Sequence, residues 1–184
     1  MTFKNKVYEI TKQNVATLKE IRKSLDDLKT HENDYSKEKY NQLLSEIDSK
    51  RLDVISSGKK DIQAAFENYK KSMNQKFKLD GGAITDDVKL LDGSFSLDGN
   101  QLEGLLEKYC TNMTMQTAIW NYAEKNNIAI NGTPRTEHRA VDCAETLFPF
   151  YDSVMARPEW DDIWLNHDYY DKITVGIEDD PDNE

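Results

Sequence analysis

Residues 92–103 carry the oxygen donors of a calcium-binding loop. Counted from Asp92, these donors fall at positions 1, 3, 5, 7, 9 and 12, as in an EF-hand. An EF-hand also needs glycine at position 6 for its sharp turn, and this sequence has Leu97 there. Asp98 is instead well placed to cap a following helix, with Gln101 as the second member of a capping box. We therefore expect a helix start at Asp98 and no bound metal.

The other residues that could catalyse a reaction are scattered. His31, His138 and His167 lie far apart in the sequence, and none has a metal-ligand spacing. Nothing in the local sequence pairs Cys143 with a histidine, and a role as a small buried apolar residue is the simpler interpretation. The phosphate-binding glycine loop, His-Glu-x-x-His and Gly-x-Ser-x-Gly do not occur. We expect a protein that is not an enzyme and that uses no cofactor.

The elements that would position any functional site are helices. Residues 1–79 contain one glycine, Gly58, and no proline, so this stretch lacks the residue that most strongly interrupts a helix. Apolar residues recur there with the alternating four- and three-residue spacing of a coiled coil. The predicted self-association seam consists of Val7, Leu18, Ile21, Leu25, Leu28, Leu44, Ile47, Ile55, Ile62 and Phe66.

The polar segment 30–36 separates two helical stretches of this arm, yet it has neither glycine nor proline. Two architectures therefore stay open: a hairpin with arms of about 40 and 60 Å, or one rod of roughly 110 Å. Asn14 lies within the seam, where it either points to solvent or fixes the register of the packing helices. Because helices draw most of their stability from packing, the seam must meet its partner arm, the C-terminal domain or another copy.

The charge of the chain changes sign along the sequence. Residues 1–78 hold 17 Lys/Arg and 12 Asp/Glu, whereas residues 79–184 hold 7 and 22. We predict a mostly α fold: a basic coiled-coil arm at 1–79, a small acidic helical domain at 83–177, and a disordered acidic tail at 178–184. Alternating isoleucines at 128–130 and 173–177 predict two very short strands, and Pro134 predicts the first residue of a helix.

Large apolar residues near the C-terminus form a second candidate surface. Trp160, Ile163 and Trp164 lie at helical spacing in an acidic segment. Tryptophan is over-represented at binding hot spots, so these residues are a candidate partner-docking face. The alternative interpretation is that they close the core of the small domain.

Part of the sequence resembles a known group of proteins. The matching stretches are 84–91 (ITDDVKLL), 95–98 (FSLD), 102–109, 112–115 (NMTM) and 122–125 (YAEK). They resemble small helical proteins of the structural, head-assembly gene modules of phages and prophages of low-GC Gram-positive bacteria. The resemblance implies a phage protein with a part in virion assembly, either scaffold-like or as a minor component.

Two functions from different classes follow. The first is a non-enzymatic assembly protein, a homo-oligomer joined through its arm, with other phage structural proteins or a host protein as further partners. In it, the basic arm of one copy would meet the acidic domain of another. The alternative is an acidic, nucleic-acid-mimicking inhibitor of a host nucleic-acid-binding enzyme. We do not expect binding to nucleic acid, because the lysines of the arm are interleaved with acids.

The expected location is the host cytoplasm, or the virion. Two cysteines, Cys110 and Cys143, do not make a disulfide framework. No apolar stretch approaches the ~20 residues that span a bilayer, so we expect no membrane partner.

Overall fold

The computed structural model describes residues 1–179, and within this range the chain forms eight α-helices and no strand. The helices are α1 (Phe3–Thr30), α2 (Lys37–Lys76), α3 (Gly99–Lys108), α4 (Met113–Lys125), α5 (Glu137–Glu145), α6 (Leu147–Ala156), α7 (Asp161–Trp164) and α8 (His167–Ile173). Short 3-10 turns lie at Glu32–Asp34, Gly81–Ala83, Asp86–Leu91 and Pro158–Trp160. The mostly helical fold predicted from the sequence is confirmed.

The prediction of two short strands is wrong. Ile173 ends α8, and Ile128 and Ile130 pack as partly buried side chains against the apolar core formed by α3 and α4. Alternating apolar residues had suggested strands, but a single short segment finds no neighbouring strand to complete its backbone hydrogen bonds.

The chain divides into two compact units, and the first combines residues 1–70 with the chain from Ala140 onward. The second unit is Lys71–Arg139. This division differs from the predicted arm at 1–79 and domain at 83–177. The physical reason lies in unit 1, where aromatic side chains of the C-terminal segment pack on the arm: Phe148 meets Phe66 edge-on at 5.3 Å.

In unit 1, α1 and α2 form an antiparallel hairpin rather than a rod. The ring of Phe3 lies 5.9 Å from that of Phe66 and 4.9 Å from that of Tyr69, so the start of α1 contacts the later part of α2. The turn between the helices passes through the 3-10 segment Glu32–Asp34. Helix α6 packs against α1.

Unit 2 is built around α3 and α4, whose buried side chains include Leu102 and Ile119. The capping box predicted at Asp98 is confirmed: its side chain accepts from the Gln101 backbone N–H at 2.9 Å, and the Gln101 side chain accepts in return from Asp98 N–H at 2.9 Å. Together the two side chains satisfy two backbone donors that the helix would otherwise leave unpaired.

The helix start predicted at Pro134 is wrong. Helix α5 begins at Glu137, and the Thr136 hydroxyl accepts from the Arg139 backbone N–H at 3.2 Å. Pro134 instead lines a cleft of unit 2 together with Trp120 and Ile128. The cap of α5 is therefore Thr136, two residues after the proline.

The predicted acidic tail at 178–184 lies mostly outside the described residues. Of its two described members, Asp179 pairs with Lys4 at 3.0 Å. Residues 180–184 are not described.

Candidate docking groove

An apolar groove of about 690 Å³ opens in unit 1 where the hairpin approaches its turn. We call this part of the hairpin, residues 18–57, the distal hairpin. The apolar side chains lining the groove are Leu18, Ile21, Leu25, Leu44, Ile47, Met155, Ala156 and Pro158. The charged side chains around them are Arg22, Lys29, Asp48, Arg51 and Glu159. The groove thus has an apolar lining and a rim of both charge signs.

The groove exists because α6, which packs against the hairpin, ends before the hairpin reaches its turn. Met155 near the end of α6 is 4% exposed, and Leu18, which also lines the groove, is 3% exposed. Beyond Ala156, the lining continues only with Pro158 and Glu159. Residues 37–57 of α2 accordingly contain no buried side chain. About 30 Å of helix therefore lacks the buried face that normally stabilises it.

The ten predicted seam residues fall into two groups. Buried within unit 1 are Val7, Leu18, Leu28, Ile62 and Phe66. Half-buried are Ile21, Leu25, Leu44, Ile47 and Ile55. Five of the ten line the groove: Leu18, Ile21, Leu25, Leu44 and Ile47. Far from the turn, Val7, Ile62 and Phe66 form part of the core of unit 1. Closer to the turn, the half-buried seam residues Ile21, Leu25, Leu44 and Ile47 face an open groove, whereas Leu28 is buried again.

A polar contact between three helices was missed from the sequence. The Asn14 side-chain amide donates to the Tyr151 hydroxyl at 2.9 Å, and that hydroxyl donates to the Ile55 carbonyl at 3.2 Å. Burial raises the pKa of Tyr151. Gly58 makes room for this contact, because a Cβ atom there would overlap the Tyr151 hydroxyl. The lone glycine and the polar seam residue Asn14 were the available signals.

Ion pairs join the arm to the acidic C-terminal segment within the same chain. Residues 140–184 hold 2 Lys/Arg and 13 Asp/Glu. Four of these acids meet cations of the arm at 2.6–3.1 Å, in the pairs Lys4–Asp179, Lys19–Asp161, Arg22–Glu159 and Lys59–Asp152. We had expected the basic arm of one copy to pair with the acidic domain of another. Four such ion pairs instead form within unit 1 of a single chain.

The predicted docking residues differ in their exposure. Trp160 is 45% exposed and Ile163 is 57% exposed, whereas Trp164 is half-buried. The Trp164 ring meets that of Tyr169 edge-on at 5.7 Å. Trp160 stacks on the Arg157 guanidinium, 4.8 Å from the ring centre. Trp160 and Ile163 thus stand on the surface of unit 1, and they do not close its core.

Residues 1–179 contain no group of three or more His, Cys, Asp or Glu side chains that could hold a metal ion. Within residues 92–103, Asp92 accepts from the Ser94 backbone N–H at 2.7 Å. This hydrogen bond lowers the pKa of the Asp92 carboxyl. Asp92 therefore closes a turn, and Asp98 caps α3.

None of the helices within residues 1–179 combines the length and the apolar character needed to cross a membrane. The chain matches no protein-family model, and neither a curated protein nor a solved structure is significantly similar to it.

Proposed function

We propose that this protein is a non-enzymatic assembly protein whose copies associate with one another through the distal hairpin. The observation that carries this proposal is the groove: five residues with coiled-coil spacing line it, and four of them, Ile21, Leu25, Leu44 and Ile47, stay half-exposed. A seam of this kind reaches its full stability only when another apolar surface covers it.

A second copy suits the groove better than a nucleic acid or a small ligand. The rim carries Arg22, Lys29 and Arg51, but also Asp48 and Glu159. Two rim pairs, Arg22–Glu159 and Arg51–Asp48, already neutralise each other at 3.1 and 3.2 Å. A phosphate backbone would need a surface of unpaired cations. An apolar lining with a mixed rim resembles the interfaces between proteins.

The first experiment measures absolute mass by light scattering after size exclusion. Protein is loaded from about 1 µM to 1 mM, the range of dissociation constants typical of weak complexes. We expect a mass that rises from 21.3 kDa toward a multiple of it with concentration. The double variant Leu25→Ser/Ile47→Ser should stay at the monomer mass, since it removes apolar area from the groove.

Leu52→Ser is the matched control for this experiment. Leu52 is 53% exposed on α2 and does not line the groove, so its loss should leave the mass unchanged. A wild-type protein that stays monomeric over the whole range contradicts the proposal. Equal masses for the wild type and the Leu25→Ser/Ile47→Ser variant contradict it as well.

The phage head-assembly role is proposed from the sequence resemblance. If the protein is scaffold-like, mass spectrometry should find it in precursor heads and not in mature virions. If it is a minor virion component, both particles should contain it. Its absence from both would contradict this role and leave self-association to be judged by the mass measurement.

The alternative proposal, an acidic mimic of nucleic acid, depends on carboxylates that face a basic partner. Four acids of the C-terminal segment already pair with Lys or Arg of the arm. Such pairing reduces the negative field available to a partner. We therefore place the assembly proposal first.

A further inference from the structure

We propose that the groove of one copy receives an exposed corner of a second copy, and that the exchange is reciprocal, so that two copies close into a two-fold dimer. This corner consists of Trp160, Asp162 and Ile163, where the 3-10 turn Pro158–Trp160 passes into α7. The inference rests on the proposed self-association and names the surface that fills the groove.

The corner has the composition of a docking surface. Trp160 and Ile163 are 45% and 57% exposed, although both side chains are large and apolar. Tryptophan is among the residues that most often dominate the binding energy of an interface. Burying these two side chains in the groove would remove apolar area from water on both copies.

The corner is also held in a fixed position, which limits the entropy lost when it docks. Arg157 stacks on the Trp160 ring at 4.8 Å. On either side of Trp160, Glu159 pairs with Arg22 at 3.1 Å and Asp161 pairs with Lys19 at 2.6 Å. These contacts tie the corner to α1 on both flanks.

The charges of the two surfaces are complementary after the internal ion pairs are taken into account. At the rim of the groove, Lys29 has no ion pair with any residue of the described range 1–179. At the corner, the exposed carboxylate of Asp162 likewise has no cationic partner among these residues. An unpaired cation on the receiving surface and an unpaired anion on the inserting surface favour their contact.

The arrangement of the two surfaces predicts a closed dimer rather than a chain of copies. Pro158 and Glu159 line the groove, and Trp160 follows them directly. Groove and corner therefore adjoin each other in unit 1. When the corner of one copy enters the groove of another, one two-fold axis brings the second corner to the first groove. Without such a two-fold exchange, copies would instead join head to tail, into a ring or an open chain.

Complementation between two variants tests the reciprocal exchange. The corner variant Trp160→Ser/Ile163→Ser keeps its groove, and the groove variant Leu25→Glu keeps its corner. Each alone should have the 21.3 kDa monomer mass at concentrations where the wild type is dimeric. Their equimolar mixture should show a heavier species, since one intact corner can enter one intact groove. Circular dichroism checks that both variants keep their helix content.

The outcomes separate this inference from the proposed function. A corner variant as dimeric as the wild type, beside a monomeric Leu25→Ser/Ile47→Ser variant, leaves self-association standing and overturns the corner as its partner. A mixture that stays monomeric overturns the exchange. A wild-type mass that grows beyond the dimer with concentration overturns the two-fold closure. A wild type that is always monomeric overturns both proposals.

A charge exchange tests the orientation of the docked corner. Lys29→Asp and Asp162→Lys should each weaken the dimer about 4- to 25-fold, because the two-fold dimer contains this contact twice and each exposed ion pair accounts for about 2- to 5-fold. The double variant should recover the wild-type affinity, and the differences should shrink at about 0.5 M salt. A double variant at least as weak as either single variant overturns the contact between Lys29 and Asp162.

Discussion

Gly58 of α2 lies against Asn14 of α1 and Tyr151 of α6 in unit 1. A Cβ atom at this position would overlap both the Tyr151 hydroxyl and the Asn14 amide, which are hydrogen-bonded to each other. Asn14 therefore points into the helix packing. The sequence left two roles open for it, facing solvent or fixing the register of the helices, and this contact agrees with the second. A polar pair inside an apolar interface penalises any shift of one helix along another, because the shift leaves both groups unpaired.

We predict that Gly58→Ala destabilises the protein by about 1–3 kcal/mol, since the helices must move apart or the hydrogen bond must break. Chemical denaturation followed by circular dichroism measures the change. Gly104→Ala is the matched control: Gly104 is also helical, but a Cβ atom there meets open space. The control should gain up to ~1 kcal/mol from helix propensity. Equal effects of the two substitutions would contradict this account of Gly58.

At the scale of elements, some sequence signals for the start of a short helix are accurate and others are not. Asp98 caps α3 as its capping box predicts. Asn166 caps α8 by accepting from the Asp168 backbone N–H at 2.9 Å. Pro134, in contrast, does not begin α5. A capping box specifies two hydrogen bonds, whereas proline merely fits a first turn without requiring one.

We predict that Asp98→Ala lowers the free energy of unfolding by about 1 kcal/mol, because a helix N-terminal donor loses its acceptor. Thermal and chemical denaturation measure this loss. Asp98→Asn keeps an acceptor oxygen at the same place and should retain most of the stability. If the two variants are equally unstable, the negative charge and not the cap explains the role of Asp98.

At the scale of the whole molecule, the stability of α2 is uneven along its length. Ile62, Phe66 and Tyr69 are at most 3% exposed, whereas residues 37–57 have no buried side chain. Local opening is easiest where few apolar contacts hold a segment. The distal hairpin should therefore be the least protected part of unit 1 in a single copy, and the part that gains most from association.

Hydrogen exchange tests this expectation. We predict that backbone amides in 37–57 exchange fast in dilute protein and become protected as concentration rises, because a second copy covers the groove. The amides of α3 and α4 serve as the internal control, and their exchange should not depend on concentration. Protection in 37–57 that is high and constant at every concentration would contradict the proposed association.

The sequence determined the helical character of this protein and some of its helix ends, and the tertiary structure decided what each helix face meets. Seam spacing predicted the long helices, and the Asp98 capping box predicted the start of α3, because these signals act between residues three or four apart. The hairpin and the pairing of the acidic segment with its own arm depend on contacts between distant residues, such as Asn14 with Tyr151 and Lys19 with Asp161. The same seam pattern therefore became core at Ile62 and an open groove at Leu25. Local spacing specifies an apolar face, but only the packing of α6 fixed how far along the hairpin that face is covered.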